Sequence, residues 1–172
     1  PPLRFSFSDE QEEFRRVVRR FLADRSPPGE VRRLMETPEG FDRDVWAQLS
    51  SELGLPGVQV PEEYGGQGLT RAHQRVFDEE TGGYQMPVLL NVPTFGIIGA
   101  TLLDFGSEEQ KQRYLPPMLK GDEVWVQFLS EPTGGSDLAS VMTRATPTPE
   151  GDAFLLTGSK IWSSGAYAAD YA

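Results

Sequence analysis

The chain has no cysteine and a single histidine, His73, among its 172 residues. Without thiols there is no disulfide framework, no thiolate nucleophile and no zinc ribbon. One imidazole cannot build a histidine metal cluster, and a serine triad would have to take His73 as its base. Positive charge is scarce too: 16 Lys+Arg stand against 26 Asp+Glu, a net charge of −10. The acidic excess is shared evenly between the two halves, so no basic face for a phosphate backbone is hidden behind the average, and nucleic acid is excluded as a partner class. Long apolar runs are also missing. The most apolar stretch, 86–105, is broken by Pro87, Asn91, Pro93, Gly96, Gly99 and Asp104, far short of the roughly 20 residues that a membrane span needs. The N-terminal residues lack a charged region followed by an apolar one, so no secretory signal is visible. A soluble, cytoplasmic protein is expected. The absence of an initial Met points to a start further upstream.

What is present can build a core. Hydrophobic residues make up 38% of the chain and charged residues 24%, a globular rather than a disordered balance. The first 120 residues read as helices. Ser8 and Gln11 have capping-box spacing, and Phe14, Val17, Val18, Phe21 and Leu22 follow as one apolar stripe. Ser26-Pro27-Pro28-Gly29 ends that helix. A second starts near Asp42 or Asp44, carries Val45, Trp46, Leu49 and Leu53, and stops at Gly54. Residues 55–69 are too rich in Gly and Pro for helix. Thr70 caps a helix running to about Gly82. An apolar helix over 92–105 should lie centrally in the core. Ser107 and Gln110 repeat the capping box before a helix that contains Pro116 and Pro117 and closes at Gly121.

The grammar then changes. Strands are expected over 124–129, 141–146, 153–157 and 160–163, joined by turns rich in Gly and Pro. Helices followed by strands predict an α+β chain: an N-terminal all-helical domain, residues 1–122, and the start of a mainly antiparallel β-domain, residues 123–172. Three or four strands with open edges make a poor independent fold, so an element that completes the sheet is expected elsewhere.

The segment Glu131-Pro132-Thr133-Gly134-Gly135-Ser136-Asp137 has two readings. Its glycines suit a plain turn, or they let successive N–H groups form a nest for an anionic ligand. Neither a dinucleotide-binding G-x-G-x-x-G after a strand nor a Walker loop is present. Trp162, between Lys160-Ile161 and Ser163-Ser164, is either a core aromatic or a flat wall for a planar cofactor. Glu131 reads as a structural turn residue, Glu62, Glu63, Glu79 and Glu80 as solvated charges, and His73 as a polar helix residue.

In four segments the sequence resembles the acyl-CoA dehydrogenase family. They are Leu53-Gly54-Leu55 with Val60-Pro61-Glu62-Glu63-Tyr64-Gly65-Gly66-Gln67-Gly68-Leu69; Phe105-Gly106-Ser107-Glu108-Glu109-Gln110-Lys111 with Tyr114-Leu115-Pro116; Gln127-Phe128-Leu129-Ser130-Glu131-Pro132-Thr133-Gly134-Gly135-Ser136-Asp137; and Gly158-Ser159-Lys160-Ile161-Trp162-Ser163-Ser164. They occur in the family's order across nearly the whole chain.

The resemblance implies an FAD enzyme that oxidises an acyl-CoA to its trans-2-enoyl thioester and passes electrons to an electron-transferring flavoprotein or similar acceptor. It implies cofactor contacts from Gln127, Leu129, Ser130, Gly135, Ser136, Trp162, Ser163 and Ser164, with Ser136 also facing substrate. It implies no metal, and a homo- or hetero-oligomer, typically a tetramer. Gln127 stands where the family commonly has an aromatic, Ser130 where it commonly has Thr, and Thr133-Gly134 where it has a small pair. The first two resemble a bacterial branch acting on bulky or sterol-derived acyl-CoAs. The family's general base usually comes from a C-terminal helical domain that has no counterpart in these residues, so no catalytic residue is assigned. Two other readings stay open: a flavin-dependent monooxygenase or oxidase of the same fold, and a non-catalytic partner subunit or truncated remnant.

Overall fold

The computed structural model describes residues 6–82, 84 and 90–172, with the backbone alone at 91 and 92. Residues 1–5 of the N-terminal stretch and 86–89 of the apolar stretch lie outside the described residues.

Helix α1, Asp9–Arg25, starts where the sequence places it. The Ser8 hydroxyl accepts from the Gln11 amide at 3.3 Å and the Gln11 side chain accepts from the Ser8 amide at 2.9 Å. Two orphan donors are thus satisfied reciprocally. Ser26 closes α1, but the prolines do not continue as loop: Pro28 opens a short helix α2, Pro28–Leu34. At the first helical position the missing N–H of proline costs nothing, and its fixed φ suits the turn. Of the two candidate starts for α3, Arg43–Ser51, the cap is Asp42, whose carboxylate accepts from the Asp44 and Val45 amides at 2.8 and 3.2 Å.

Residues 55–69 form a folded loop with a single 3-10 turn, Glu62–Tyr64. Its arms are laced by Gln67 N–H to Gly57 C=O at 3.0 Å, Gly68 N–H to Val60 C=O and Leu69 N–H to Val58 C=O, both at 2.8 Å. Helix α4, Arg71–Thr81, packs along α1. Thr70 holds the cap position, yet its hydroxyl pairs with His73 Nδ1 at 2.9 Å rather than with a helix amide. His73, a polar residue of this helix, is correspondingly buried, with Phe14 edge-on at 5.6 Å.

The expected 92–105 helix is two pieces. A π-helical run, Leu90–Gly99, leads into α5, Ala100–Phe105. Pro93 supplies no N–H, and Gly96 and Gly99 weaken α-geometry here. The central position holds only for the first piece: Leu90 and Thr94 are buried, whereas Phe105 is 85% exposed. Helix α6, Glu108–Lys120, repeats the Ser107–Gln110 capping box, runs through both prolines and ends on left-handed Gly121.

One core group joins Val18 and Leu22 of α1, Trp46 and Leu49 of α3, Leu55 and Val58 of the loop, Phe77 of α4 and Leu90. A second surrounds Tyr64, Leu115 and Met118. Each such fully buried aliphatic side chain contributes about 1.5–3 kcal/mol. The Tyr64 hydroxyl donates to Glu108 at 2.8 Å, and that carboxylate pushes the phenol pKa up to about 12. The two N-terminal segments of the family resemblance therefore meet in space.

Beyond 122 the chain is mostly extended. Strands β1, Arg144–Pro147, and β2, Phe154–Thr157, pair antiparallel, with Arg144 opposite Thr157. Two expected strands are absent among the described residues. Residues 124–129 form only a parallel bridge from Trp125 to Tyr171, and 160–163 form no ladder. The 141–146 strand begins later, at Arg144. A strand exists by virtue of its neighbours, and each of these segments meets a neighbour over one or two residues.

Candidate functional site

The Gly-rich loop and the Trp162 segment cross each other. The Ile161 amide donates to the Ser130 carbonyl at 2.9 Å, and the Lys160 ammonium donates to the Leu129 carbonyl at 3.1 Å. At its start the loop is closed on itself: Glu131 N–H to Gly134 C=O at 2.8 Å, and Gly134 N–H to Glu131 C=O at 3.1 Å.

Glu131, the residue after Ser130, is 5% exposed. Its carboxylate takes the Met142 amide at 2.6 Å, the Thr143 amide at 2.9 Å and the Lys160 ammonium at 2.8 Å. Lys160 first, then Thr143 and the Met142 amide, hold its pKa down at about 2, because each donor favours the ionised form. A carboxylate so committed is a poor proton acceptor near neutral pH. These contacts tie the loop to the residues before β1 and after β2. Lys160 entered the sequence reading only as part of a strand and a motif; its partner is 29 positions away, a separation that no local pattern marks.

Two apolar side chains of these segments are open to solvent. Leu129 is 45% exposed and Trp162 is 87% exposed. Trp162 has φ 57°, a left-handed conformation uncommon for a residue with a Cβ. Its carbonyl accepts from the Ser164 amide at 3.0 Å. Gly135 stands over Ser130: a Cβ there would lie 3.7 Å from the Ser130 hydroxyl and would occupy the space beside it. The Ser130 hydroxyl, the backbone polar groups beside it and an exposed indole one residue beyond the Ile161–Ser130 bond are groups whose chemistry fits a flat, polar-edged ring such as FAD.

The structure thus ties Leu129 and Ser130 to Lys160 and Ile161, the two residues before Trp162, and sets Gly135 beside Ser130. It does not tie Gln127 or Ser136 to them: both are exposed and make no hydrogen bond among the described residues. Ser163 and Ser164 follow Trp162 in the turn that leads to left-handed Gly165. Among the described residues no group of three or more His, Asp or Glu could hold a metal ion, and no helix is long and apolar enough to cross a membrane. A separate cleft of about 380 Å³ lies in the helical part, lined by Phe77, Phe95, Leu103, Leu115 and Met118, with Gln74 and Asp78 also on its wall.

Residues 8–122 match the model of the acyl-CoA dehydrogenase N-terminal domain. The chain belongs to the acyl-CoA dehydrogenase family. It is similar to acyl-CoA dehydrogenase IpdE1 of Mycobacterium tuberculosis, with 39% identity over 163 residues that cover 91% of this chain and 42% of that protein. Among solved structures it resembles the ChsE4–ChsE5 complex from Mycobacterium tuberculosis, at a TM-score of 0.79 and 33% identity, covering 98% of this chain and 42% of that one. It also resembles the Tcur3481–Tcur3483 steroid acyl-CoA dehydrogenase, at 0.75 and 38%, covering 98% and 43%. The chain spans about two fifths of the length of these relatives.

Proposed function

We propose that this chain supplies the FAD-facing part of an acyl-CoA dehydrogenase that oxidises an acyl-CoA thioester to the trans-2-enoyl product, with electrons passing to an electron-transferring flavoprotein. The observation that carries the reading is the hydrogen-bonded meeting of 129–131 with 160–161, next in sequence to an unusual, exposed left-handed Trp162, with Gly135 open beside the Ser130 hydroxyl. Bound FAD supplies the hydride acceptor. In this reading Leu129 and Ser130 contribute backbone and hydroxyl contacts to its polar edge. Trp162 covers a ring face and excludes water, and Gly135 leaves room for close approach. Gln127, Ser136, Ser163 and Ser164 flank the cofactor, with Ser136 turned to substrate. Dipoles fixed in advance favour the negative charge that gathers on the ring edge without reorganising.

Residues 1–122 act as the helical domain and 123–172 as part of the β-domain. A sterol-derived acyl group and an assembly of two kinds of chain are the finer readings. They are supported by likeness to the Tcur3481–Tcur3483 steroid acyl-CoA dehydrogenase.

The test uses the full chain. Purified protein should carry FAD, and because the general base has no counterpart in these residues, an acyl-CoA added without oxygen should bleach its visible flavin band only when the missing part of the enzyme is supplied. Protein that takes up no FAD under any reconstitution overturns the reading. Trp162→Ala should weaken FAD binding while leaving helical content unchanged.

A further inference from the structure

We propose that Glu131 and Lys160 form a positioning clasp that fixes the crossing of the two segments and holds Trp162 in its left-handed turn, so that the ring-binding face is built before a ligand arrives. The inference rests on the flavin reading above.

Three pieces of chain converge on one carboxylate. Glu131 belongs to the 127–137 loop, Met142 and Thr143 precede β1, and Lys160 follows β2. The two oxygens of Glu131 are held by donors from both other segments, so its position fixes theirs. The ammonium of Lys160 has a second acceptor, the Leu129 carbonyl at 3.1 Å, which pins the residue just before Ser130. One residue further along each segment, Ile161 N–H meets Ser130 C=O at 2.9 Å. The clasp and this bond lie side by side, and Trp162 is the next residue. Its side chain is 87% exposed, so packing does not hold its uncommon backbone conformation. The restraint must come through the neighbouring backbone: Ile161 on one side and the Ser164-to-Trp162 bond on the other. Charge-assisted bonds from withdrawn side chains, 4% exposed for Glu131 and 21% for Lys160, supply it. The rest of the segment, without a strand ladder, has little else to fix its course.

The experiment compares the full chain with Lys160→Met, Lys160→Arg and Glu131→Gln. Hydrogen exchange by mass spectrometry is read on peptides covering 140–145 and 158–164 without FAD, and FAD affinity is read by fluorescence titration. Lys160→Met should keep its helical signal, exchange both peptides at least about tenfold faster, and bind FAD at least about tenfold more weakly, the scale of a lost charge-assisted bond. Lys160→Arg, which keeps the cation, should recover most of both, and Glu131→Gln should show the same pair of losses. Faster exchange with unchanged FAD affinity overturns the positioning role and leaves a merely structural pair. Unchanged exchange overturns the clasp itself, whatever FAD does. A wild-type chain that takes up no FAD overturns the flavin reading instead, and the clasp is then judged on exchange alone.

Discussion

The guanidinium of Arg15 on α1 meets the carboxylate of Glu80 on α4 at 2.9 Å, across 65 positions of sequence. Arg15 reaches Glu79 as well, at 3.0 Å, and Arg19 approaches Glu80 from the other side at 2.8 Å. Glu79 and Glu80 are therefore not independent solvated charges; they join the two helices that carry much of the first core group. Arg15 and Glu80 are mostly withdrawn from water, at 15% and 10% side-chain exposure.

Removing Arg15 leaves two adjacent carboxylates with one remaining close cation each, Arg75 for Glu79 and Arg19 for Glu80. Arg15→Met should cost about 2 kcal/mol, below the cost of breaking a fully buried pair because solvent screens part of the charge. A double-mutant cycle with Glu80→Gln in urea unfolding checks it; a coupling within error of zero would refute the link.

The helical half was legible because its signals are local. Each Ser-x-x-Gln box marks a helix start from four consecutive residues, and the Phe14–Leu22 stripe marks a buried face. Helix α2 was hidden because Pro27-Pro28-Gly29 reads as a stop, whereas Pro28 is favourable in a first turn. His73 was legible as a helix residue, but its burial was not, since Phe14, which packs on it, lies on another helix. The strands fared worse for a physical reason. Residues 124–129 and 160–163 have strand-like composition, but pairing is a property of two segments, and the sequence near Trp125 does not announce Tyr171. The same holds at the candidate site. Ser130, Gly135 and Trp162 were singled out as motif members, while the Glu131–Lys160 contact that joins their segments has no spacing signature.

Leu115 is 1% exposed and also borders the 380 Å³ cleft. Truncation there enlarges an existing space. Leu115→Ala should cost about 3–5 kcal/mol. Phe105→Ala, at a site 85% exposed, should stay within about 0.5 kcal/mol. Urea midpoints of the two variants measured side by side decide whether the burial pattern is right.

Gly121 ends α6 at φ +76°, with its amide on the Met118 carbonyl at 2.9 Å. A Cβ on it would stand 2.6 Å from Trp46 Nε1 and 2.7 Å from Cδ1. Trp46 is buried and stacked on Phe95 at 5.8 Å, so it has little room to retreat. Gly121→Ala combines a left-handed penalty of about 1 kcal/mol with an overpacking cost of about 1–3 kcal/mol. A loss of about 2–4 kcal/mol is expected, with altered near-ultraviolet dichroism from the displaced indole. An unchanged midpoint would mean that Trp46 is free to move.

Acid should act on the Glu131 clasp over a defined range. The carboxyl has an ordinary value of 4.5 when unconstrained and about 2 in the folded chain, so between these values the unfolded form binds more protons. Stability therefore rises with pH across that window. The contribution is fully present above about 4.5 and is lost progressively as pH falls toward 2, where the folded carboxyl protonates and the bonds from Lys160, Met142 and Thr143 weaken. Exchange protection of the 158–164 peptide should follow this course in the wild-type chain and become flat across the same range in Glu131→Gln. Loss of protection only above pH 5 in the wild type would assign the acid response to other carboxylates.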